Sequence, residues 1–124
     1  MPQEYIVELI DAKVVPEDRR FDEGILVENG LTLPFLVERG WSGPGGYYLE
    51  QWSIRRSGRE ILHSSELRSI SVRGPQSVSR YSDRVEAPIQ LEEGNYLLAF
   101  VIEGRFMGSR EFQVTSVEKA EAPA

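Results

Sequence analysis

His63 is the natural place to look for chemistry, because it is the only histidine in the 124-residue chain and Ser64 and Ser65 follow it directly. A hydroxyl nucleophile needs a base beside it. His63, a neighbouring serine and an acid could be drawn as a Ser-His-carboxylate set. The chain has no Gly-x-Ser-x-Gly elbow, nor any other turn that would present such a serine. No catalytic residue is therefore assigned, and His63 is expected to be an ordinary, partly exposed histidine.

The acids offer no better set. Glu17-Asp18, Asp22-Glu23 and Glu92-Glu93 are adjacent pairs. Neighbours on a strand point to opposite faces and neighbours in a turn point to water, so neither arrangement builds a shared acid/base site. Oxygen-rich loops suit calcium, but Glu17 to Glu23 lacks the alternating Asp/Asn and glycine spacing of an EF-hand. The absence of cysteine removes disulfides, thiolate metal sites and cysteine nucleophiles together. Gly43-Pro44-Gly45-Gly46 has glycines but no Lys-Ser/Thr after them to cradle a phosphate. No metal and no cofactor is expected, and the chain is read as non-enzymatic.

Binding chemistry is better represented. Trp41, Tyr47 and Tyr48 flank the glycine-dense stretch Gly40 to Gly46, and Arg55, Arg56 and Arg59 follow on the next strand and turn. Aromatic side chains on loops give large contact area at low entropic cost. These six residues are the expected binding surface for a protein or an acidic peptide, with a sugar a weaker option. The competing expectation places Trp41 as a lid on the core, since tryptophan is usually buried. A self-associating structural protein is the alternative function.

The net charge of -6 argues against nucleic acid. Charge is unevenly distributed, with seven arginines against three acids between residues 51 and 84 and an acidic balance on both sides. The plain explanation is that middle strands meet outer ones and their charges pair across a sheet. The N-terminus has no basic residue leading into an apolar run, so no secretory signal is read. The longest apolar run, Leu97 to Ile102, is far short of the ~20 residues of a membrane helix. A soluble cytoplasmic protein is expected.

The elements that position these residues read as short alternating runs broken by turns about every ten positions, the pattern of an all-β domain. Asn29-Gly30 is a hairpin signal. Leu31, Leu33, Phe35 and Val37 share a face at period two, with Pro34 opposite, which suggests an edge or a bulge. Tyr48, Trp52 and Ile54 line one face of a long strand, and Ser57-Gly58 ends it. Val85, Ala87, Ile89 and Leu91 share a face, and Tyr96, Leu98, Phe100 and Ile102 form the most convincing central strand. Ile102-Glu103-Gly104-Arg105 spells a clotting-protease recognition sequence, which turn chemistry explains by itself. No helix is expected. Residues 1–115 read as one domain and 116–124 as a flexible acidic tail.

Two features narrow the fold. The segment Leu91-Glu92-Glu93-Gly94-Asn95-Tyr96 resembles the tyrosine corner of immunoglobulin-like and fibronectin type III domains, and Trp52 lies on the strand after the glycine stretch. The resemblance covers roughly residues 4–115, without the cysteine pair of antibody domains. It implies an antiparallel immunoglobulin-like β-sandwich of seven to nine strands, and a fold does not carry a function.

Overall fold

The computed structural model describes residues 7–18, 20–56 and 60–121. The described residues are all-β apart from one short helix. Its strands are β1 (Glu8–Pro16), β2 (Ile25–Glu28), β3 (Leu31–Thr32), β4 (Phe35–Ser42), β5 (Gly46–Arg56), β6 (Glu60–Ser64), β7 (Arg68–Val72), β8 (Ser79–Val85), β9 (Gly94–Ile102) and β10 (Arg105–Ser116), and the helix is α1 (Val117–Glu121). The first sheet has the order β1-β4-β8; the second runs β3-β2-β10-β9-β5-β6, with β7 also pairing β5.

The two sheets share one core. Phe35, Val37 and Trp41 from β4 meet Trp52 and Ile54 from β5 and Leu98 and Phe100 from β9. Trp41 packs edge-on to Phe100, with ring centroids 6.0 Å apart. Period-two alternation puts these residues on the inner faces, and burying each large apolar side chain contributes about 1.5–3 kcal/mol.

Two tight turns follow directly from sequence. Asn29 and Gly30 both take positive φ, 54° and 78°, closing the β2–β3 hairpin with Val27 opposite Thr32. Glu103 and Gly104, at 49° and 78°, do the same between β9 and β10, so the protease-like tetrapeptide is a two-residue hairpin turn. Positive φ at both central positions matches the right-handed twist of the flanking strands.

Several expectations are corrected. The described residues form ten strands rather than seven to nine. Pairing is not wholly antiparallel, because β2 runs parallel to β10, with Ile25 opposite Val114. Ile25, Leu26 and Val27 are all buried, so β2 is covered on both faces, as parallel strands commonly are. The run from Leu31 to Val37 is not one strand. β3 belongs to the second sheet and β4 to the first, and the chain changes sheets at Leu33-Pro34, where proline has no N–H to give a ladder.

The glycine stretch is shorter than expected, since β4 continues through Ser42 and β5 begins at Gly46. β8 ends at Val85, so Ala87, Ile89 and Leu91 do not extend a strand with it. Residues 117–121 form a helix, and the Ser116 Oγ accepts a hydrogen bond from the Lys119 N–H at 3.2 Å. The Ser57-Gly58 turn and Tyr5 lie outside the described residues. Among the described residues, no helix is long and apolar enough to cross a membrane.

Candidate functional site

Of the six expected binding residues, the five that the structure describes do not come together. Trp41 is fully buried. Its indole N–H donates to Glu50 Oε2 at 2.7 Å, so it is a core residue and not a contact for a partner. Tyr47 is 80% exposed on the outer face of β5. Tyr48, on the inner side, is half-buried and its hydroxyl donates to the Pro44 carbonyl at 2.6 Å. Arg55 shares the outer face with Tyr47, yet eight residues of strand separate them by about 26 Å. Its Nε donates to Ser53 Oγ at 2.9 Å. Arg56 points the other way, its guanidinium 5.6 Å from the Tyr96 ring centroid and its Nη2 donating to the Tyr96 hydroxyl at 3.2 Å. Arg59 lies outside the described residues.

A different group accompanies Tyr47. Leu49 follows at the next outward position of β5, 42% exposed, and Phe106 on β10 is 63% exposed. Register places Gln51, Val101 and Phe106 in one row across β5, β9 and β10. The outer face of the larger sheet therefore presents an aromatic residue at each of two well-separated positions, with aliphatic side chains between.

Between the sheets lies a cluster that sequence reasoning missed. Arg39 on β4 and Glu50 on β5 have fully buried side chains and form a two-pronged ion pair. Arg39 Nη1 also approaches Asp83 Oδ1 on β8 at 3.2 Å and donates to the Val37 carbonyl at 3.1 Å. Asp83 Oδ2 accepts the Trp52 indole N–H at 2.8 Å, and Asp83 Oδ1 pairs with Arg68 on β7. The guanidinium groups of Arg39 and Arg68 each lie within 6 Å of the Tyr81 ring centroid, at 5.8 and 5.9 Å. Among the described residues no buried side-chain polar atom lacks a partner.

This cluster has a definite electrostatic logic. Burial opposes the charge on Arg39, but hydrogen bonding to Glu50 and the charges of Glu50 and Asp83 overcome it and hold the pKa above its ordinary value. Burial likewise pushes the Asp83 carboxyl up, while the Trp52 hydrogen bond and the charges of Arg39 and Arg68 outweigh it and leave the pKa lowered. The sequence signal was available: Arg39 falls between Val37 and Trp41, and Glu50 between Tyr48 and Trp52, at period two on inward faces. A charge on an apolar face of each of two facing strands is a request for a partner.

The remaining candidates are engaged locally. His63 packs on Trp52, ring centroids 5.7 Å apart, and burial lowers its pKa. The middle arginines pair with acids from outer segments, as Arg80 does with Asp11 and Arg84 with Glu17, which accounts for the uneven charge map. A shallow concavity of about 530 Å³ on the outer face of the first sheet is lined by Asp11, Lys13, Glu38, Arg80 and Ser82. At the start of β9, the Tyr96 hydroxyl donates to the Glu92 carbonyl at 2.6 Å.

No family model matches the chain, and no curated protein matches it in sequence. Solved structures match it in fold. The chain superposes on part of an alkylpurine DNA glycosylase of Pseudomonas fluorescens bound to DNA containing an abasic site analog, with a TM-score of 0.56 and 13% identity over 88% of this chain and 30% of that one. A beta-glucosidase of Listeria innocua in complex with isofagomine gives a TM-score of 0.52 and 10% identity, over 90% of this chain and 16% of that one. The chain thus spans less than a third of the length of either protein, and at these identities the likeness is one of fold alone.

Proposed function

We propose that the chain is a non-enzymatic protein-binding module built on an immunoglobulin-like β-sandwich. The framework reading is supported by the order β1-β4-β8 facing β10-β9-β5, by buried Trp52 on β5, and by the Tyr96–Glu92 bond at the start of β9. The observation that carries the binding reading is the outer face of the second sheet, where Tyr47, Leu49 and Phe106 stand exposed. Exposed aromatic side chains on a rigid sheet are efficient anchors for a protein partner. The partner contact moves from the glycine stretch to this face, because Trp41 belongs to the core.

The neighbour bound to DNA does not bring nucleic acid to this chain. A net charge of -6 gives little phosphate affinity, and Arg80 and Arg84 already sit opposite carboxylates. The enzyme reading loses support with His63 packed at a tilt against Trp52.

The test is a Tyr47→Ser/Phe106→Ser double variant. Partners captured from the native lysate would be identified, purified and titrated against both proteins by calorimetry. The double variant should lose at least about tenfold in affinity, as two truncated aromatic anchors would predict, and keep its melting temperature. Equal affinity would overturn the reading. A wild type that forms dimers abolished by the same substitutions would favour self-association.

A further inference from the structure

Two sheet edges meet on one side of the molecule, and they are finished in different ways. β7 is closed by side chains from β8. The Tyr81 hydroxyl accepts the Ser71 N–H and donates to the Ser71 carbonyl, both at 2.7 Å. Ser79 Oγ accepts the Arg73 N–H at 3.0 Å, and Arg68 pairs with Asp83. These bonds use every second side chain of β8 and leave its main chain free. β8 itself pairs with β4 from Ser79 to Val85 in unbroken register, and among the described residues no other strand pairs with it. An edge strand carries a row of unpaired N–H and C=O groups. β8 has no proline and no bulge to blunt that edge.

What β8 does carry is positive charge. Its outward side chains are Arg80, Ser82 and Arg84, with exposed Arg73 just before it and Arg68 on the adjoining edge. The partners of Arg80 and Arg84 are themselves well exposed: Asp11 is 51% accessible, and Glu17 and Glu86, which share Arg84, are 44% and 72% accessible. Such pairs hold their members loosely. Arg80 gives Asp11 two hydrogen bonds, and a guanidinium has five N–H donors.

We propose that the β8 edge accepts an extended acidic peptide as an added strand, its carboxylates four residues apart on the face of Arg80 and Arg84. Main-chain hydrogen bonds to β8 would supply affinity, and the two arginines would select the sequence. Charge also selects against a second copy. An antiparallel β8–β8 pair centred on Ser82 sets each Arg80 opposite an Arg84, and like charges directly opposite are destabilising. This edge is distinct from the Tyr47–Phe106 face, and the two inferences stand separately.

The experiment titrates a fluorescein-labelled synthetic peptide of serines, threonines and valines with two glutamates four residues apart, followed by anisotropy. Wild type should bind it. N-methylation of alternate peptide nitrogens on one edge should weaken binding about tenfold or more by removing ladder bonds. Arg80→Glu/Arg84→Glu should lose the glutamate peptide by a similar factor and bind a version with lysines instead. Tyr47→Ser/Phe106→Ser should bind the glutamate peptide as wild type does. The proposal is overturned if wild type fails to bind, if methylation of neither edge weakens binding, or if sedimentation shows wild-type dimers dispersed by the charge reversal. Thermal melts of both variants confirm that each is folded, and the lysine-peptide rescue shows directly that the reversed edge still works.

Discussion

The molecule holds arginine–carboxylate pairs in two opposite settings. Arg39 lies between the sheets, forked onto Glu50, touching Asp83 and capped by the Tyr81 ring. Arg80 and Arg84 lie on the outer face of the first sheet and fork with equal regularity onto Asp11 and Glu17, at 2.9–3.0 Å. Bond geometry barely separates them. Solvent does: the Arg39 and Glu50 side chains have no accessible surface, whereas that of Arg80 is 63% accessible. A buried pair has already lost its hydration, so each member depends on the other for a partner. An exposed pair exchanges one set of hydrogen bonds for water's with little change in free energy. Identical contacts therefore have unequal consequences, and the inequality can be measured.

The largest effect is expected at Glu50. Glu50→Ala leaves Arg39 buried beside Asp83 alone and leaves the Trp41 indole N–H without its acceptor. Loss of one member of a buried pair costs about 3–5 kcal/mol, read as a fall in the urea midpoint at unchanged slope. The sharper form is a cycle with Arg39→Met/Glu50→Leu. If burial is the cause, removing both charges should cost far less than removing Glu50 alone, because no ion is left stranded. A double variant as unstable as the single one would show that lost hydrogen bonds and packing, the orphaned Trp41 N–H among them, set the cost and not a stranded charge.

The acid limb of stability comes next. The Asp83 pKa is lowered in the folded protein relative to its ordinary value, so on acidification the unfolded chain takes up the proton first. Its contribution is present above the unfolded pKa of about 3.9 and is lost as pH falls through the lower folded value. Denaturation midpoints between pH 6 and pH 2 should drop steeply below about pH 4. Asp83→Asn should start lower and fall less steeply over the same window. Parallel profiles would assign the acid sensitivity to other carboxylates.

The same contrast explains what could be read in the sequence. Apolar alternation made β9 plain, and turn residues with positive φ made the Asn29-Gly30 and Glu103-Gly104 hairpins plain, because these signals are local. β8 was obscure. Its inward positions are Ser79, Tyr81, Asp83 and Val85, which serve the buried arginine and the edge of β7 and so break the apolar pattern that identifies a strand. Gly40 and Trp41 read as loop for a related reason: Gly40 lies where an added Cβ would come within 2.6 Å of a Val78 methyl, so it is a packing glycine inside a strand and not a turn. The aromatic surface was half legible. Tyr47 is exposed, but its companion Phe106 lies on a strand nearly sixty positions later, and only the register across β9 brings them to one face.

The smallest effect is expected at Arg80, and it is informative because of its size. Arg80→Ala removes both hydrogen bonds to Asp11 and leaves two solvated groups, so the melting temperature should move by less than about 2 °C. Raising the salt concentration should shrink even that difference, since screening acts on exposed charges and hardly reaches Arg39. A large, salt-insensitive loss would mean that the Arg80–Asp11 fork, which spans β4 to join β8 to β1, holds the first sheet together. An indifferent melting temperature leaves Arg80 in place for another reason, and the open edge of β8 supplies one: a charge of little value to the fold is free to select what pairs beside it.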